Sequence, residues 1–359
     1  MTLAQQTYVP DDNFEQALIN LGYDTALDDS VITGNINTVD SLDVSNKSIY
    51  DLTGIEEFTV LSELRCSGNS LTLLDVSNNL YLKTLNCTGN QLQNIILNDS
   101  LETLSCGSNQ LTNLDVSNCV NLERLFCSWN NLTSLDVSQN KLLYDLDCAI
   151  NQLTSLTLND TALIQLNCDN NLLTSLDLSQ NNNLRRAIIF TNQLNSLNIV
   201  GSDSLVTLYA YDNQLTSLDI SSNTILRYFD VQINQLSLLD VSNNYQLSTL
   251  SCSDNNLSSL DVSDNYSLRR LYCDNNQITN LNVSTQLFLE EFRCDNNSLT
   301  ELDFSGVDKT IITVFDSRNN PNLNCIQVED EGWSTALWTD IDSWSSFSED
   351  CNYTLVEEL

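Results

Sequence analysis

Nine cysteines fall at one place in a phrase that repeats about every 21 residues: Cys66, Cys87, Cys106, Cys127, Cys148, Cys168, Cys252, Cys273 and Cys294. The phrase is L-x-x-L-x-C-x-x-N-x-L-x-x-L-D-V-S-x-N, uninterrupted through Leu250, Cys252, Asn255, Leu257, Leu260, Asp261, Val262, Ser263 and Asn265. Between the two cysteine blocks the phrase persists, with Ile189, Ala210 and Val231 at the cysteine position. The slot therefore takes a small apolar group, and a thiol is one solution. A period this regular implies one elongated array of about 13 stacked rungs, each burying its apolar face on its neighbours.

Both L-x-C and L-D-V alternate inward apolar and outward residues, which is the period of a strand. Each rung thus nests two similar halves. Stacking at about 4.8 Å predicts a repeat solenoid: mostly short parallel β-strands in two sheets, joined by tight asparagine-bearing turns. The array is placed at residues 42–320. Residues 1–41 form an N-terminal helical cap preceded by a leader remnant, because Pro10-Asp11-Asp12 starts and Gly22 stops a short amphipathic helix through Phe14, Ala17, Leu18 and Leu21. Past Asn319-Asn320-Pro321 the phrase fails, with Asp316 read into the inward slot and Pro321 into a leucine slot. Residues 321–359 are the expected irregular C-terminal cap, containing Trp333, Trp338 and Trp344.

The L-x-x-L-x-C-x-x-N-x-L half resembles the bacterial leucine-rich repeat proteins of secreted or cell-surface type, whose nested repeats of about 21 residues match over roughly three quarters of the chain. That resemblance implies a recognition or adhesion scaffold and leaves the ligand unnamed. Ala187 and Phe229 at the second leucine, and Cys119 at the second asparagine position, depart from the pattern.

A row of thiols invites a redox or metal-thiolate reading. Side chains stacked in register point in parallel, however, whereas a disulfide needs facing Cβ atoms and zinc needs converging sulfurs. The ladder is read as buried, reduced packing. Cys325 and Cys351 stand outside it, and a bond between them would close the tryptophan-bearing cap and stabilise it by roughly 3 kcal/mol. Asn69, Asn90, Asn109, Asn130 and Asn151 sit three residues after the ladder position. There an amide can both donate to and accept from corner backbone groups left without strand partners. The N-x-Ser/Thr triplets that result are by-products of the phrase and imply no glycosylation.

Two outward columns carry chemistry. Asp75, Asp115, Asp136, Asp177, Asp219, Asp240, Asp261 and Asp303 form a like-charged column on the second strand. It is satisfied either by serine and backbone hydrogen bonds or by a hard cation such as calcium at Asp219, Asp240 and Asp261. No other cofactor is expected. On the first strand most rungs place small polar residues outward, but Ile188 with Phe190, Tyr209 with Tyr211, Tyr228 with Asp230, and Tyr272 break that rule. Arg186, Arg227, Arg270 and Arg293 lie beside them in a chain with 13 Lys plus Arg against 48 Asp plus Glu. Exposed aromatics joined by arginines have the composition of binding hot spots and of sugar-stacking surfaces. The competing reading is a solvated face on which tyrosine follows strand propensity. Phe126 and Trp129 form a lesser aromatic spot.

A net charge of −35 excludes nucleic acid and anionic membrane as partners on electrostatic grounds. The absence of histidine, of G-x-S-x-G, of a P-loop and of H-E-x-x-H argues against an enzyme. The expected function is a non-catalytic recognition module that binds a protein through the central first-strand face. A carbohydrate-binding surface using the same strip, or a spacer in a larger secreted protein, is the alternative. The expected partner is a protein or glycan at a cell surface, with no membrane insertion. Leu3-Ala4-Gln5-Gln6 is read as the remnant of a cleaved signal peptide, which places the chain outside the cell or on its surface.

Overall fold

The computed structural model describes residues 4–158 and 162–351, so the leader remnant at Leu3 lies in part outside the described residues. The expected array of rungs divides into two compact units, one up to Leu173 and the other from Thr174 onward.

The first unit opens with a cap. Helix α1 spans Asp12–Asn20 and buries Phe14, Ala17 and Leu18. Asp11 Oδ1 caps it by accepting from Asn13 and Phe14 N–H at 2.8 and 3.0 Å. Gly22, at φ 83°, ends it in the left-handed region, which glycine enters without a Cβ clash. An antiparallel pair, Gln6–Tyr8 with Ser30–Ile32, and helix α2 at Thr33–Ile36 complete the cap. Rungs follow as parallel strands in register: Ser41–Asp43, Glu63–Arg65, Thr84–Asn86, Thr103–Ser105, Arg124–Phe126, Asp145–Asp147 and Gln165–Asn167.

In the second unit the same strand recurs at Arg186–Ile188, Thr207–Tyr209, Tyr228–Asp230, Thr249–Ser251, Arg270–Tyr272, Glu291–Arg293 and Val314–Asp316. Every ladder residue is buried with no exposed area, whether Cys252 and Cys273 or Ile189, Ala210 and Val231. All the ladder cysteines, and Cys119, are free thiols. Burial pushes the thiols of Cys66 and Cys106 up to about 12, so they stay protonated and inert at neutral pH.

Three expectations are corrected in detail. The second-strand sheet is not continuous. It pairs as Leu73–Asp75 with Asn94–Ile96 and Ser134–Asp136 with Ser155–Thr157 in the first unit. In the second unit it pairs as Ser175–Asp177 with Ser196–Asn198, and then from Asn280–Asn282 to Ser346–Ser348. Between these runs Leu114 and Val116, Leu239 and Val241, and Leu260 and Val262 are still buried, so apolar packing holds them in place without a strand ladder. Asp316 does not take an inward slot either. Phe315 does, Ser317 fills the ladder position, and Asp316 stands in register beside Arg293 on the other side of the strand, nearly buried, with its carboxylate bonded by Arg318. The rung is two residues longer than its predecessor, which hides the register from a fixed count. Nor is the C-terminal cap wholly irregular: Cys325–Gln327 and Ser346–Ser348 extend the second-strand run, and Cys325 is disulfide-bonded to Cys351 with Cα atoms 5.7 Å apart. Helix α3 (Glu331–Leu337) packs there beside a cluster of Phe304, Phe315, Trp338 and Phe347.

Each rung's turn rests on one asparagine. Asn234 Nδ2 donates to the carbonyl of Val231 in its own rung at 3.1 Å and of Ala210 in the rung before at 3.0 Å. Its Oδ1 accepts from Leu215 N–H at 2.9 Å. The residue just before it must be left-handed: Gly68 and Gly89 hold that place in early rungs, but Trp129 (φ 58°), Ile150 (52°), Thr191 (49°) and Ile233 (51°) hold it later. For a β-branched residue that conformation is strained.

Adjacent substitutions should therefore act in opposite directions. Asn234→Ala, which strands buried backbone groups of two rungs, should lower unfolding free energy by about 3 kcal/mol in urea denaturation. Ile233→Asn, at a half-exposed site, should raise it by about 1 kcal/mol. A stabilising Asn234→Ala would show that the amide does not hold the turn.

Candidate functional site

The first-strand face of the second unit is a grid whose rows are rungs and whose columns are set by register. One column runs Arg186, Thr207, Tyr228, Thr249, Arg270, Glu291. The next runs Ile188, Tyr209, Asp230, Ser251, Tyr272, Arg293, Asp316. Two residues further along each rung lie Phe190, Tyr211, Gln232 and Ser253. Phe190 and Tyr211 stack face to face, with ring centroids 4.4 Å apart and planes within 7°.

The expected strip is thus two patches, separated by the Thr249–Ser251–Ser253 rung. The aromatic patch holds Phe190, Tyr209, Tyr211 and Tyr228. Arg186 and Arg227 flank it, and Arg227 donates through Nε and Nη2 to Gln246 Oε1 at 3.3 Å. The second patch is an ion-pair lattice. Arg270 Nε meets Glu291 Oε1 at 3.0 Å, Arg269 pairs with Glu290, and Tyr272 donates its hydroxyl to Glu291. Arg293 lies 5.8 Å from the Tyr272 ring centroid. Hydrogen bonds from Tyr272 and Arg270 hold the Glu291 carboxyl below its ordinary value, while burial and Glu291 push Tyr272 up to about 12. Arg270 and Tyr272, singled out with the others from the sequence, are therefore engaged within the chain.

The sequence reading missed a neighbouring row. Tyr245, Tyr266 and Phe288, each half-exposed or more, occupy the corner that leads into consecutive rungs. A groove of about 610 Å³ is lined there by Arg227, Tyr228, Gln246, Ser248, Ser267, Arg269 and Phe288. The signal was present as N-Y-x-L and Q-L-F-L, where apolar residues fill positions with no inward role. The aspartate column makes local bonds: Asp219, Asp240 and Asp261 each accept from the N–H of the serine two residues on at 2.9 Å. Hydrogen bonds from the Ser221 and Ser242 side chains, and then from their N–H groups, hold Asp219 and Asp240 below the usual carboxylate range. Among the described residues, the carboxylates close enough to share a cation lie elsewhere, in the N-terminal cap.

In-register parallel strands, a buried leucine-and-cysteine interior and an asparagine-held turn define a leucine-rich repeat protein. No family model matches the chain. A 72-residue stretch is 39% identical to Internalin J of Listeria monocytogenes serotype 4b (strain F2365), spanning 20% of this chain and 8% of that protein. The solved functional domain of InlJ from Listeria monocytogenes, which includes a cysteine ladder, is similar with a TM-score of 0.79 and 33% identity, covering 94% of this chain and 80% of that one. The chain belongs to the internalin family of bacterial leucine-rich repeat proteins. Internalin InlF of Listeria monocytogenes str. 4b F2365 shares the fold, with a TM-score of 0.71 at 18% identity over 89% of this chain and 95% of that one. So does a Leptospira interrogans leucine-rich repeat protein, with a TM-score of 0.58 at 22% identity over 86% and 97%. No helix among the described residues is long and apolar enough to cross a membrane.

Burial raises the carboxyls of Asp230, Asp254 and Asp295 on this face above their ordinary value. A raised native value means that the folded state binds the proton first, so these groups add stability as pH falls through the native value toward the unfolded one. Asp230→Asn leaves an acceptor for the Gln232 N–H and removes the charge. Its melting temperature should exceed the parent's at neutral pH, and the gap should close as pH is lowered toward about 4. A gap independent of pH would remove burial of Asp230 as the cause.

Proposed function

We propose that the chain is a non-catalytic recognition module, exported or displayed at the cell surface, that binds a protein partner through the aromatic patch of the second unit. The observation that carries this reading is the stacked Phe190–Tyr211 pair beside Tyr209 and Tyr228. Apolar rings fill outward positions that other rungs give to serine, threonine and asparagine, and the core beneath is already complete. Rings held by a rigid sheet lose little entropy on binding, and aromatic and arginine side chains dominate protein interfaces. Membership of the internalin family supports the same reading, with the partner left open.

The protein reading is favoured over the carbohydrate one by the stack itself. Sugar rings dock on open aromatic faces, whereas Phe190 and Tyr211 turn one face each toward the other at 4.4 Å. The pair offers a ridge suited to an apolar cleft in a partner.

Tyr209→Ala and Tyr211→Ala should each weaken capture of a surface-protein partner by about thirtyfold or more, the range of a hot-spot residue. Asp240→Ala, on the opposite strand, should leave capture unchanged. Glycan-array binding that depends on the same tyrosines would replace the protein reading with the carbohydrate one. Indifference of every ligand to both tyrosines would leave a spacer.

A further inference from the structure

The groove of about 610 Å³ at the corner of the second unit carries a charge opposite to that of the chain. Its lining includes Arg227 and Arg269 and no carboxylate, in a sequence with 48 Asp plus Glu against 13 Lys plus Arg. Grooves elsewhere on the surface take in Asp51 and Glu56, Asp340, or Asp274. A cleft lined by one sign of charge concentrates the opposite sign.

Register builds this groove. Ser248 N–H donates to the Arg227 carbonyl and Arg269 N–H to the Ser248 carbonyl, both at 2.9 Å, so the three stand at one position of consecutive rungs. At about 4.8 Å per rung the two arginines rise roughly 10 Å apart, with only a short serine between them. The position two residues earlier repeats the pattern, with Ser267 between Gln246 and Phe288 at the spacing of the repeat. Two serines form the floor, and longer side chains form the walls.

Neither guanidinium is saturated within the chain. Arg227 donates to the neutral amide oxygen of Gln246, and among the described residues it makes no ion pair. Arg269 turns Nη1 to Glu290 on the rung beyond, and its side chain remains half-exposed. Tyr228 and Phe288 border the cations, and exposed Tyr245 and Tyr266 each precede a lining residue.

We propose that this groove seats an acidic segment of the partner polypeptide, with an aspartate or glutamate carboxylate between Arg227 and Arg269. The proposal rests on the recognition reading above and adds a second contact to it. Tyr228 belongs to both surfaces, which makes them continuous. A guanidinium fork takes a carboxylate through two parallel hydrogen bonds, and arginine clusters are a recurrent means of reading acidic motifs. Apolar side chains flanking the acid rest on Tyr228 and Phe288, which a compact inorganic anion would leave uncovered. The net charge of −35 repels such a segment from the rest of the chain, so the groove also fixes where it docks.

The test titrates the full chain against a short fluorescein-labelled peptide alternating glutamate and leucine, read by anisotropy. The peptide should bind saturably, and its glutamine counterpart at least about tenfold more weakly. Arg227→Gln with Arg269→Gln should cause the same loss. Ser248→Tyr, which fills the floor with both arginines in place, should do so independently. Arg65→Gln with Lys83→Gln, an equal charge change on exposed side chains of the first unit, should leave binding unchanged. In the parent chain, bound peptide should slow phenylglyoxal modification of Arg227 and Arg269, read by mass spectrometry without any variant. Absence of saturable binding, equal binding of the glutamine peptide, indifference to the arginine pair or unprotected arginines overturns the proposal. Capture of a surface protein that depends on Tyr209 and Tyr211 while the peptide fails to bind overturns the groove alone. Sulfated or sialylated glycans binding through the same arginines, with no binding of the peptide, replace the polypeptide with a glycan and overturn it.

Discussion

The structure depends on the bifurcated amide of the turn asparagine. Asn255 Nδ2 bonds the carbonyls of Cys252 and Val231, one in its own rung and one in the previous rung, while its Oδ1 takes the N–H of Leu236. Leucine burial supplies the driving force for stacking but is indifferent to small slips along the strand. The amide is directional, so it fixes each rung against its neighbour and makes outward positions align into columns. The stack of Phe190 on Tyr211 and the bonding of Arg270 to Glu291 both follow from that alignment.

Both ends of the array solve the same problem with an aspartate. At the start, Asp11 Oδ2 accepts from Tyr50 and Asp51 N–H at 2.7 and 2.9 Å, while its other oxygen caps α1. Near the other end Asp342 accepts from Asn319 and Asn320 N–H at 2.9 and 2.8 Å, where a further rung would have supplied carbonyls. A carboxylate offers two acceptor oxygens and so can occupy two orphaned donors at once.

Much of this was legible in the sequence because the phrase assigns every residue a direction. The ladder at Cys66 through Cys294, the asparagine turns and the outward placement of Tyr209 and Tyr211 all follow from period alone. What failed did so where period is blind. Asp316 was misplaced because its rung is two residues long of the repeat. The interrupted second-strand sheet escaped because Leu260-Asp261-Val262 reads the same whether or not it makes ladder bonds. Tyr245, Tyr266 and Phe288 were passed over because corner positions have no fixed direction in the phrase.

The cysteine ladder also constrains the order of events in the life of the chain. Of its 12 cysteines, two are joined and the remainder are sealed in the interior as protonated thiols. An unfolded chain of this composition has far more wrong disulfides available to it than the single right one. Only prompt rung-upon-rung closure withdraws the ladder sulfurs before an oxidant reaches them. Each completed rung shelters the thiol beneath it, so assembly itself serves as the protecting group. Cys325 and Cys351, in the cap at the far end of the sequence, are then left to find each other without competitors.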